Sequence, residues 1–83
     1  MSQIEIYSTN NCPFCTRAKQ LLNSKNIAYT EKRIDENPEF AKEMQERTQK
    51  RTVPQIIING NPIGGFDELY ALNRDGKLDE LLK

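Results

Sequence analysis

Cys12 and Cys15 are the only cysteines in a chain of 83 residues, and they stand three positions apart around Pro13 and Phe14. Two thiols at this spacing can carry out disulfide exchange. One attacks a disulfide as the thiolate, and the other, held close by, attacks the mixed disulfide that results. The chain holds no histidine. A structural zinc site takes four ligands, usually cysteine and histidine, so this chain cannot supply a standard one alone. The pair reads in three ways: a redox centre, two core cysteines that fall near each other, or half of a metal site that a partner completes. A Cys-x-x-Cys beside a β-α-β pattern in a chain with a cytosolic address points to the first.

The flanking elements must position the two sulfurs. Ile4-Glu5-Ile6-Tyr7-Ser8 alternates apolar and polar residues and reads as a strand, and Thr9-Asn10-Asn11 as a loop. Pro13 suits the first turn of a helix, where its missing N–H would have no partner anyway. Ala18, Leu21 and Leu22 recur at helical spacing behind Cys15, which predicts a helix from about Pro13 to Lys25. Cys12 then lies at the helix start, among unpaired backbone N–H groups and at the positive end of the dipole, and both favour a thiolate. Cys15 lies one turn inside. This geometry gives the attack to an exposed Cys12 and the resolving step to a more buried Cys15.

Downstream, Tyr29 to Arg33 reads as a second strand. Asn37-Pro38-Glu39 reads as a helix start, with Asn37 as cap and Pro38 in first position, and Phe40 and Met44 then face the core. Gln55-Ile56-Ile57-Ile58 suits a well-buried strand, Asn59-Gly60 a hairpin turn, and Asn61 to Gly64 the return strand. Asp67 is expected to cap a helix carrying Leu69 and Leu72. Leu78, Leu81 and Leu82 predict a final apolar turn or short helix. The order β-α-β-α-β-β-α predicts an α/β fold, a four-stranded mixed sheet with about three helices. Its first two strands are parallel through a right-handed crossover, and its last two are antiparallel.

The bulk numbers fit one domain over residues 1–83. A hydrophobic fraction of 36% and a charged fraction of 29% are a soluble globular balance. Twelve basic and twelve acidic residues cancel, which speaks against a nucleic-acid partner. No apolar run approaches the ~20 residues that a membrane span requires. Met1-Ser2-Gln3-Ile4-Glu5 has neither a basic start nor a long apolar stretch, so no signal peptide and a cytoplasmic address are expected. Thiols are kept reduced there, which argues for the redox reading of the pair. A monomer is expected.

Three markers in order give the chain a family resemblance: Cys12-Pro13-Phe14-Cys15 after the first strand, Thr52-Val53-Pro54 before the third, and Gly64-Gly65-Phe66-Asp67 before the last long helix. It resembles the glutaredoxins, especially the small bacterial dithiol type, over nearly its whole length. The resemblance implies a thioredoxin-like fold, glutathione as co-substrate and electron donor, and no permanently bound cofactor or metal. It also implies a cis peptide bond before Pro54, whereas X–Pro bonds in folded proteins are cis only about 5–6% of the time. Val53 would then pair its backbone with glutathione as a short added strand. Phe14, Thr52, Pro54 and Phe66 would form walls. Gly65 and the N–H groups at the helix start would hold one glutathione carboxylate, and Asp67 would answer its ammonium. One of Lys42, Arg47, Lys50 and Arg51 would take the other carboxylate. Many members of the family carry Lys where this chain has Thr9, and Tyr where it has Phe14, so activation of Cys12 rests mainly on backbone N–H groups. The implied partners are disulfide-containing or glutathionylated proteins, ribonucleotide reductase among the open choices. A redoxin driven by thioredoxin reductase, an iron–sulfur cluster carrier and a catalytically silent adaptor are the rival readings.

Overall fold

Alternation in the strands assigns their side chains to two opposite faces, and each face meets different helices. The computed structural model describes residues 3–82. Met1 and Ser2, which entered the signal-peptide argument, and Lys83 lie outside the described residues. The elements are β1 (Ile4–Ser8), α1 (Pro13–Ser24), β2 (Thr30–Arg33), α2 (Pro38–Thr48), β3 (Gln55–Ile58), β4 (Asn61–Gly64), α3 (Phe66–Arg74) and α4 (Lys77–Leu81). The expected fold class is the one found, but the helix count is four rather than three. The short α4 lies where Leu78, Leu81 and Leu82 predict a turn or short helix, and buried Leu78 anchors it.

The sheet runs in the order β2-β1-β3-β4. β1 pairs with β2 in parallel and with β3 antiparallel. β3 and β4 form the hairpin, whose turn places Asn59 at φ 52° and Gly60 at φ 84°, the left-handed backbone that an Asn-Gly turn supplies. Ile4 and Ile6 of β1 and Ile56 and Ile58 of β3 pack with Ala18 and Leu22 of α1, Leu69 of α3 and Leu78 of α4. On the opposite face Tyr7 and Ile57 meet Met44 of α2, with Ile34, Phe40 and Val53 around them.

Local chemistry sets the helix starts. Asn37 Oδ1 accepts the Glu39 N–H at 3.0 Å and Pro38 follows it, as their types predict. At α3 the expectation is corrected. Gly65 is the N-cap, and Asp67 lies inside the first turn. The cap is made from within the helix, since the Glu68 carboxylate accepts the Gly65 N–H at 2.7 Å, the reach-back half of a capping box.

Candidate active site

The loop from β1 to α1 carries the cysteines, and its hydrogen bonds fix where they stand. The Asn10 N–H donates to Asp35 Oδ2 at 3.0 Å, and the Ile34 N–H donates to the Ser8 carbonyl at 2.9 Å. Cys12 is the N-cap of α1, and its sulfur takes the part of a capping side chain by accepting the Cys15 N–H at 3.1 Å. The two sulfurs are in disulfide contact. Cys12 is partly exposed and Cys15 is fully buried, as their places along the helix predict.

Across from Cys12 stands the loop between α2 and β3. The Val53–Pro54 bond is cis, as the resemblance implies and the general preference of X–Pro bonds does not. The Val53 carbonyl oxygen lies 3.8 Å from Cys12 Sγ. Beside it opens a cleft of about 290 Å³, lined in part by Phe14, Thr52, Val53, Pro54, Phe66 and Asp67. Gly65 is a lining residue too, so all seven residues expected to form the binding walls meet in one place. Glycine has a packing reason here. A Cβ on Gly65 would come within 3.2 Å of the Pro54 carbonyl oxygen, and one on Gly64, which has φ +114°, would overlap the Glu68 side chain.

Of the four cations ahead of Thr52, Lys50 lines this cleft. Arg47 is turned the other way. Its guanidinium donates to both carboxylate oxygens of Glu5, at 2.6 and 3.1 Å, and to the Tyr7 hydroxyl at 2.8 Å. Lys32 bridges the same Glu5 and Glu43, at 2.9 Å each. The Arg47 hydrogen bonds above all, aided by Lys32, hold the Glu5 carboxyl at about 2. An Arg47 so engaged on the α2 face is not free to reach a ligand in the cleft. Lys42 lies on that side also, in a separate depression with Glu39, Glu43 and Arg47.

The cleft includes Gln55 and Glu68, which sequence reasoning missed. Gln55 is 5% exposed and its amide donates to Thr52 Oγ1 at 3.3 Å, which ties the Thr52 side chain to the start of β3. Glu68 stands at capping-box spacing from Gly65, a signal hidden by reading Asp67 as the cap. Gln55 had none, since its partner is set by the loop's path.

A family model for glutaredoxin matches residues 4–63. Glutaredoxin 3 of Escherichia coli is 49% identical over 83 residues, covering 100% of each chain. The chain belongs to the glutaredoxin family. A solution structure of a glutaredoxin from Brucella melitensis shares the fold with a TM-score of 0.83 at 47% identity, covering 98% of this chain and 88% of that one. A crystal structure of a buckwheat glutaredoxin–glutathione complex gives a TM-score of 0.88 at 30% identity, covering 98% and 76%. As a glutaredoxin the chain is a thiol–disulfide oxidoreductase, and the Cys12–Cys15 pair is its redox centre. Among the described residues no helix is long and apolar enough to cross a membrane.

Proposed function

We propose that the chain reduces glutathionylated proteins and protein disulfides with glutathione as electron donor, Cys12 attacking and Cys15 resolving. The observation that carries this reading is the placement of Cys12 Sγ. It sits at the α1 N-terminus, accepts the Cys15 N–H at 3.1 Å and lies 3.8 Å from the Val53 carbonyl at the edge of the cleft. A reduced Cys12 there has a hydrogen-bond donor and the helix dipole to stabilise its thiolate.

Glutathione carries two carboxylates and one ammonium. Its backbone pairs with that of Val53 as a short added strand. One carboxylate sits at the N–H groups that open α3, and Asp67 meets the ammonium. Lys50 takes the other carboxylate, being the one cation of the expected four that borders the cleft. Phe14, Thr52, Pro54, Gly65 and Phe66 shape the walls.

With a glutathionylated protein, the Cys12 thiolate attacks the glutathione sulfur. A new disulfide joins Cys12 to glutathione, and the substrate leaves as its thiolate and takes a proton from water. A second glutathione thiolate then attacks the bound glutathione sulfur, releasing oxidised glutathione and the Cys12 thiolate. With a protein disulfide, Cys12 forms a mixed disulfide and the Cys15 thiolate displaces the substrate, leaving Cys12–Cys15 oxidised. Two glutathione molecules restore the dithiol. The setting is cytoplasmic, with the chain acting as a single-domain monomer.

Cys12→Ser abolishes glutathione-dependent reduction of the mixed disulfide between glutathione and 2-mercaptoethanol, and Cys15→Ser keeps a substantial share of it. An active Cys12→Ser protein would refute the assignment of roles. Turnover with glutathione and glutathione reductase, set against turnover with thioredoxin reductase, identifies the donor.

A further inference from the structure

Two residues stand just outside the cleft. Arg17 and Tyr70 are exposed, and neither lines the cleft. They extend its aromatic wall outward. The Phe66 ring centroid lies 6.1 Å from that of Phe14 and 5.9 Å from that of Tyr70. Tyr70 stands one turn along α3 from Phe66, on the same side of the helix. Phe14 is 51% exposed and Tyr70 49%. At the other end the Arg17 guanidinium carbon lies 5.3 Å from the Phe14 ring centroid. Arg33, Arg47 and Arg74 each meet a carboxylate, whereas Arg17, like Arg51, meets none among the described residues; of these two, Arg17 is the one held over an aromatic ring of the cleft.

We infer that the strip formed by Arg17, Phe14, Phe66 and Tyr70 docks the polypeptide that flanks the substrate's cysteine, with an apolar side chain on Phe66 and Tyr70 and a carboxylate at Arg17. The inference rests on the redox role of Cys12 and names the protein half of its substrate. Three observations support this occupant. The strip is continuous with the cleft, since Phe14 and Phe66 belong to both. An arginine without an acidic partner, held over an aromatic face, is a cation available to a partner's carboxylate. Contiguous exposed apolar side chains rimmed by polar ones mark an interaction surface.

The test compares two substrates. One is a short glutathionylated peptide with leucine and aspartate beside the modified cysteine, and the other is the mixed disulfide of glutathione with 2-mercaptoethanol. Tyr70→Ala raises KM for the peptide about three- to tenfold, the range of an aromatic contact, with kcat unchanged, and leaves the small substrate unaffected. Arg17→Gln raises the peptide's KM to a similar degree, and replacing the peptide's aspartate with asparagine removes that effect. Arg17 is an exposed side chain, so its variant keeps the test valid if Tyr70→Ala misfolds. Equal losses on both substrates, or no change on the peptide, would overturn the proposal. So would a dimer in sedimentation that Tyr70→Ala dissolves, since a second copy would then cover the strip. Failure of the small substrate with wild-type protein would instead sink the glutathione reading.

Discussion

Towards α1, α3 and α4 the sheet presents Ile4, Ile6, Ile56 and Ile58 to Ala18, Leu22, Leu69 and Leu78, all buried. Towards α2 it presents Glu5, Tyr7 and Ile57, and Met44 is the one residue of that helix to be buried. The first face is closed by apolar packing. The second is bridged by charge, through Arg47 to Glu5 and Tyr7 and through Lys32 to Glu5 and Glu43. The two faces hold opposite walls of one cleft. Phe14 of α1 and Phe66 of α3 stand on the helices of the apolar face, and the Lys50–Pro54 segment follows α2. The cysteine side of the site is thus anchored by a large apolar core, while the Val53 side rests on the smaller cluster of Tyr7, Met44 and Ile57, reinforced by ion pairs that acid can weaken.

The largest effect is expected on the apolar face. Leu22→Ala empties a fully buried position and costs about 2–5 kcal/mol, read as a fall in the urea midpoint that persists at every pH. Next comes Arg47→Met on the charged face, at about 2 kcal/mol near neutral pH, because Glu5 keeps Lys32 as a partner. Its signature is the pH dependence. The Glu5 carboxyl is held down from 4.5 to about 2, so its stabilising contribution is complete above 4.5 and is lost as pH falls towards 2. The gap between wild type and Arg47→Met in urea denaturation therefore narrows across that window. A gap that stayed constant would show that Arg47 acts through packing and its Tyr7 hydrogen bond rather than through Glu5, and the contrast between the faces would fail. The smallest effect is Asn37→Ala, about 1 kcal/mol, since it removes only the cap at the start of α2. Its loss in the urea midpoint should not vary with pH between 4.5 and 2, because the Asn37 amide does not titrate, and so it is the control for the Arg47 variant across the same window.

Much of this fold was legible. β1, β3 and β4 lie where alternation, the isoleucine run and Asn59-Gly60 place them, and Asn37 caps α2. These signals are local, each carried by a few adjacent residues. The α3 cap was misread for a physical reason. Asp67 has the side chain that caps helices, but the close approach of Gly65 to the Pro54 carbonyl and the reach of Glu68 start the helix earlier. Which of Lys42, Arg47, Lys50 and Arg51 borders the cleft was not legible, because nearness to Thr52 along the chain is not nearness in space. The place of Arg47 on α2 turns it towards Glu5, 42 residues away.

By itself the sequence determined the reagent and its local activation, two thiols at helix spacing with Cys12 at the start. Spacing is enough for that, because one helical turn relates Cys12 to Cys15 and brings the Cys15 N–H to the Cys12 sulfur. Tertiary structure alone decided what the sulfur faces. The Val53 carbonyl beside Cys12 comes from 41 residues away, and the Phe66 ring that meets Phe14 belongs to the last long helix. Such contacts exist only once the sheet has brought β1 and β3 together and laid α1 and α3 on one face, and no run of neighbouring residues encodes them.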